Sequence, residues 1–408
     1  MVNKMVKIKQ AEAKKGLKRI LDRSHVFVAS MALIILWICS LVAMNISFFD
    51  PIHRATKNFS LSDVYYQIMQ ESGNVHRSEL ITIVDMTTLY DRGRMAQVIH
   101  EVNECQPAVV GLDVMFEGLR GDTVGSEQLV EAICEIETPV VAFKLKEADP
   151  ETGNFVTARH SFFAPIDGLQ EGYTNVQHID LGGIIRNMST WHILGSDTVH
   201  SLSYYLASKF APDVLNERFP QRQLIDYTPT DFPVVPYDSI LQNRHLIENR
   251  IVMLGAMNDD ADMHYSPFGR TAGTCIQAYA VQTLLEHHNI RELNFAWTLL
   301  ISFIFIVLTD ILQCEISYQA KRSRSVVVGF FFDSSFVKSA INFLWMAFLL
   351  WINFLVFTQG DIYFNPTIML MGIVLQVEGR LFYVSAIATY REIKTKKMKN
   401  KHKKQQKS

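Results

Sequence analysis

Residues 26–49 read VFVASMALIILWICSLVAMNISFF, about 24 residues without a formal charge. At 1.5 Å per residue, a helix of that length crosses the roughly 30 Å hydrocarbon core of a bilayer. Working outward, three more apolar runs follow near the other end of the chain, at 295–312, 336–358 and 362–377, the last with room to extend to about residue 388. Between the first run and the other three stands a water-compatible block, residues 50–293, large enough for one sizeable core.

The formal net charge of -2 conceals an asymmetry. Residues 1–25 are basic (Lys14, Lys15, Lys18, Arg19 and Arg23 among them), the link 313–335 carries Lys321, Arg322 and Arg324, and the tail 391–408 is rich in lysine. The central block is acidic. Under the positive-inside rule, four crossings then place both termini and the link in the cytoplasm and residues 50–293 outside. The first run exceeds a signal-peptide core and lacks a small-x-small site after it, so it reads as an uncleaved anchor. The basic ends orient the chain and are expected to attract anionic lipid headgroups. The layout is compatible with a homo-oligomer.

Within the central block the pattern predicts α/β architecture: a mostly parallel sheet with helices on both faces, added to four transmembrane α-helices. A lead-in helix over 50–74 offers Leu61, Val64, Tyr65, Ile68 and Met69 to one face. Apolar strands at 80–84, 108–114 and 139–143 alternate with helices at 92–105 and 126–136. Strands without polar alternation are those buried on both faces. Residues 172–176 and 183–190 read as an antiparallel pair around Gly182-Gly183. A helix at 201–210, an extended piece at 232–235, a strand at 250–255 and a helix at 274–287 complete the block. Cys105, Cys134 and Cys275 fall in it; a bridge between Cys105 and Cys134 is open, and free buried thiols are the expected state.

Ligands of open parallel sheets bind beyond the carboxyl ends of the strands. Asp85, Asp113, Asp260, Asp262 and His264 fall at such ends or in the loop after the 250–255 strand, and Arg186 stands in an apolar stretch of its own (Gly-Ile-Ile-Arg). Converging carboxylates could hold a divalent cation or act as an acid–base pair. They could equally cap the helices that follow, and Arg186 could form a structural ion pair or bind an anionic ligand. No GxSxG, P-loop, HExxH or dinucleotide fingerprint is present, so no enzyme class and no cofactor is expected. Nor does the acidic block or the aromatic-poor tail fit nucleic acid. Inside the membrane runs, Asp310, Lys338, Glu378 and Arg380 are expected to form a charge layer, with Asp310 paired to Arg380 or Lys338, or else to snorkel to the headgroups.

The order of these pieces resembles the CHASE2 family of bacterial extracytoplasmic sensory domains. The resemblance rests on Ile81-Thr-Ile-Val-Asp85, Pro107-Ala-Val-Val-Gly-Leu-Asp-Val-Met-Phe116, Asp180 with Gly183-Ile-Ile-Arg186, and Asn249-Arg-Ile-Val-Met-Leu-Gly255. It continues through Asp262-Met-His-Tyr-Ser-Pro267, Gly273-Thr-Cys-Ile-Gln-Ala278 and three closing membrane helices. It departs from the family where Met86 follows a single Asp85 and where Gln277 stands for an expected His. The resemblance implies a bacterial inner-membrane protein whose outside sensor drives a cytoplasmic kinase or cyclase; the residues after Arg391 are too few for either, so a separate cytoplasmic or membrane signalling partner is expected. The alternatives are an envelope enzyme using the carboxylates with a metal, or a passive scaffold for an envelope complex.

Overall fold

The computed structural model describes residues 22–45, 60–118, 121–164, 166, 168–175, 183–213, 219–286, 290–322 and 325–405. The basic residues before Asp22, the first half of the 50–74 lead-in, Asp180 and Gly182 lie outside them. The chain forms two compact units, Lys57–Glu292 and the combination of Met1–Thr56 with Leu293–Ser408.

The first unit is built on a nine-stranded sheet. Its strands are β1 (Ile81–Asp85), β2 (Val109–Leu112), β3 (Pro139–Ala148), β4 (Phe155–Arg159), β5 (Gln170–Tyr173), β7 (Trp191–Leu194), β8 (Asp197–His200), β10 (Val234–Pro236) and β11 (Ile251–Gly255). Two shorter strands, β6 (Asn187–Ser189) and β9 (Arg222–Leu224), pair with each other alone. The order is β10-β1-β11-β2-β3-β4-β7-β8, with β5 beside β3. Pairings from β10 to β3, and β3 with β5, are parallel; β3 with β4 and β7 with β8 are antiparallel. The sheet is therefore mixed, and the expectation of a mostly parallel one describes only its inner part. The first half of β3 carries parallel neighbours and its exposed second half turns back as a hairpin with β4, which the apolar run alone could not reveal.

Helices cover both faces. On one side, α3 (Arg92–Glu104) and α4 (Thr123–Cys134) bury Val98, Ile99, Val102, Leu129 and Ile133 against Val84, Val110, Leu112 and Leu254 of the strands. Asp91 and Asp122 cap these helices, accepting from Arg94 N and Gly125 N. On the other side, α5 (Leu202–Phe210), capped by Ser201, presses Leu206 onto Gly111, where a Cβ would lie 2.9 Å from its methyl carbons. Beside α5 packs α6 (Gly273–Leu285). Each fully buried aliphatic side chain contributes about 1.5–3 kcal/mol to the fold.

Three expectations are corrected here. Among the described residues, 172–175 and 183–190 do not pair: β5 joins β3, and β6 joins β9. In α2 (Leu61–Glu71) the buried face is Ser62, Asp63 and Tyr66, whereas Val64 and Ile68 are exposed. All five cysteines are free, as expected for Cys105, Cys134 and Cys275, but Cys134 is exposed rather than buried and Cys275 is only half-buried.

The second unit contains α1 (Arg23–Asn45), α7 (Phe295–Arg322), α8 (Val326–Asp333), α9 (Ser335–Gly360) and α10 (Thr367–Gln405). Four of these, all but α8, are long and apolar enough to cross a membrane. Their shared core includes Ala29, Ala32, Ile306, Leu349, Met369 and Ile373. Glycines permit close packing: a Cβ on Gly372 would collide with Ile306, and one on Gly379 would lie 2.9 Å from the Val28 carbonyl oxygen. The boundaries differ from the apolar runs. Residues 313–335 are largely helical, as α7 continues to Arg322 and α8 follows. Residues 362–366 are not helical; Asn365 Oδ1 accepts from Thr367 N at 3.0 Å to open α10, which then runs through the basic tail.

Candidate functional site

At the carboxyl edge of the sheet, three strands end side by side: β1 at Asp85, β2 just before Asp113 and β11 at Gly255. Asp85 accepts from Thr87 N at 2.9 Å, Thr87 Oγ1 at 2.5 Å and Met257 N at 3.2 Å. Its Oδ1 ties the loops after β1 and β11 together, which is the turn-capping role of such residues.

Asp113 has a different setting. Its backbone N donates to Leu254 O at 2.9 Å, and its carboxylate accepts from Thr274 Oγ1 at 2.9 Å in the first turn of α6. Desolvation by burial, then the negative charge of Asp262, push its pKa up to about 7; Thr274, Lys144 and His264 pull the other way. Asp262 stands against the same helix end. The oxygens of its carboxylate lie 2.7 and 2.8 Å from where a Cβ on Gly273 would be, so a side chain there would push the carboxylate aside. His264 Nε2 is 3.7 Å from Asp262 Oδ1, on the hairpin formed by β12 (Met263–Ser266) and β13 (Gly269–Ala272). The structure thus groups Asp113, Asp262, His264 and Thr274 at the start of α6. Such a group can hold or release a proton near neutrality, and its net negative charge suits the positive end of the helix dipole.

The other residues singled out in the sequence are spent elsewhere. Asp260 is exposed and pairs with Arg270 at 2.6 Å. Arg186 meets none of these carboxylates; it forms a buried pair with Asp63 of α2, Nη2 to Oδ2 at 2.5 Å. Tyr227, fully buried nearby, donates from its hydroxyl to Ile185 O at 2.9 Å. Sequence reasoning missed Asp63, whose only signal was an acidic residue amid the apolar positions of α2.

In the helical unit, Asp310 Oδ1 accepts from Arg380 Nε at 3.1 Å, and Oδ2 contacts both Arg380 Nη2 and His25 Nδ1, the latter at 2.7 Å. This joins α1, α7 and α10 at one level. Lys338 is half-buried near the start of α9, and Glu378 is exposed. His25 was also missed, since it directly precedes the first apolar run. A cavity of about 170 Å³ borders the joint, lined by Asp22, Ser24, His25, Ile311, Cys314, Glu315 and Arg380. Among the described residues, His25, Asp310 and Cys314 bring three metal-type donors within 4.8 Å; the sheet edge brings no such trio together. Arg380 and His25 already occupy both Asp310 oxygens, so the arrangement works as an ion-pair joint.

The sequence profile of the family described as CHASE2 domain matches residues 29–312, more than half of the chain. No curated protein and no solved structure matches it.

Proposed function

Because the chain belongs to the CHASE2 domain family of extracytoplasmic sensory domains, we propose that it is a membrane-anchored receptor module. In this reading the unit Lys57–Glu292 reads a condition outside the bacterial cytoplasmic membrane, and both ends of the chain lie in the cytoplasm. The charge asymmetry along the sequence supports that orientation.

The observation that carries the reading is the hydrogen bond from Thr274 to Asp113 at the head of α6. Only residues 286–294 separate the end of α6 from the start of α7. When Asp113 loses its proton, a second negative charge arises beside Asp262; a cation or basic ligand stabilises that state, and acid removes it. A signal passes along α6 only if the two states of this group favour different placements of the helix, since a ligand with equal affinity for both shifts nothing. The chain acts by binding and movement, and the movement is read by a separate signalling protein through the bundle.

Cys134 supplies the test of orientation, because it is exposed on α4. A membrane-impermeant maleimide should label it in intact spheroplasts, and Cys134→Ser should lose that label. Labelling that appears only after lysis would overturn the proposal.

A further inference from the structure

The segment α8 has the sequence VVVGFFFD and stands between two membrane-crossing helices, α7 and α9. It is apolar on nearly every side, yet Val326, Val327 and Phe330 are 86, 76 and 78 % exposed, and Phe336 just beyond it is 80 % exposed. Gly329 faces α7: a Cβ there would lie 3.3 Å from the Ala320 carbonyl oxygen. One side of α8 is therefore seated on the end of α7, and Val326, Val327 and Phe330 point away from the protein.

The level of α8 follows from a contact inside the bundle. Trp345 Nε1 donates to Thr309 Oγ1 at 2.9 Å, placing these residues of α9 and α7 side by side. From Thr309 to Ala320, and from Trp345 back to Ser335, each helix runs about 15 Å. Both helices thus reach α8 at the same depth. On the α9 side the uncharged stretch from Ser339 begins less than two turns beyond it, while Lys321 and Arg322 close α7 beside it. A helix apolar in all but its last residue, with outward-facing side chains, at the junction between a hydrocarbon-length span and a basic helix end matches the headgroup–acyl boundary.

We propose that α8 is a membrane-interface helix whose Val326, Val327 and Phe330 side chains insert among the upper acyl chains of the phospholipid. Large exposed apolar surface on a protein marks such a contact. The insertion fixes the depth of the α7–α9 turn and hence the height of the bundle in the bilayer.

The test uses the full chain in nanodiscs whose lipids carry bromine on the upper part of the acyl chain. Phe330→Trp adds one indole, and the emission added over the parent protein is the signal. It should be blue-shifted and lose most of its intensity to the brominated lipid, with little effect from aqueous iodide. Val327→Trp, at a second outward position, should behave alike and serves if the first variant folds poorly. Added emission that bromine leaves intact overturns the proposal: quenching by iodide would put α8 in water, and quenching by neither would put a protein surface, such as a second copy, over it.

Discussion

Arg186 and Asp63 meet through two parallel hydrogen bonds, Nε to Oδ1 at 2.9 Å and Nη2 to Oδ2 at 2.5 Å, with only 5 and 9 % of the two residues exposed. This fork docks α2 onto the sheet domain from 123 positions away in sequence. Removing one partner leaves the other charge buried, which costs about 3–5 kcal/mol. Asp63→Ala should therefore lower the unfolding midpoint of the full protein sharply. The double variant Asp63→Leu/Arg186→Met should recover much of the loss. Equal destabilisation by the single and double variants would show that the charges are not coupled.

Asp113 predicts a pH dependence of known sign. Its folded pKa, about 7, lies above the ordinary value of 3.8, so the folded state binds the proton more tightly than the unfolded state. The stability linked to it is complete below about pH 4 and is lost as pH rises toward 7, levelling off above. Asp113→Asn keeps the acceptor for Thr274 and removes the charge. The variant should match wild type in acid and be more stable, by up to a few kcal/mol, above pH 7. Denaturant unfolding across that range, read as the difference between the two proteins, checks it.

Two glycines rank themselves by what a methyl group would meet. On Gly111 it would press against the flexible end of Leu206, at 2.9 Å; on Gly172 it would meet Leu202 Cα at 2.5 Å and N at 2.7 Å, which cannot move aside. Gly111→Ala should cost about 1–3 kcal/mol, as overpacking does, and Gly172→Ala more. Thermal unfolding of the pair orders them.

Asp310 is the common acceptor for His25 and Arg380. Asp310→Leu removes the carboxylate that pairs with the Arg380 guanidinium, so bundle stability in detergent should fall. Arg380→Leu with Asp310→Leu should fall less. An unchanged midpoint for Asp310→Leu would show that the three helices do not depend on the joint.

What the sequence disclosed, and what it hid, follows from locality. β1, β2 and β11 were legible because both of their faces are buried, which leaves unbroken apolar runs. The periodicity of α3 was legible because its buried residues recur at helical spacing. By contrast, α2 was assigned the wrong face, since its orientation is set by Asp63 reaching a distant arginine. The β3–β4 hairpin was hidden because β3 changes partners halfway along. α8 was absorbed into a polar link because eight residues are too few to register as a span. At the site, Asp113, Asp262 and His264 were flagged by position at strand and loop ends, but Thr274 was not, because a threonine opening a helix carries no distinguishing mark. Asp260 looked the same as Asp262 in sequence, and only Arg270 separates them.

The central claim is that the charge state of Asp113 sets the placement of α6. Hydrogen exchange of the full protein in nanodiscs reads this most directly, followed over residues 273–294 on both sides of pH 7 and corrected for intrinsic exchange. The wild type should show protection at the start of α6 that changes across neutrality, and Asp113→Asn should show one constant level. Protection that is constant in the wild type, or that changes equally in both proteins, would contradict the account.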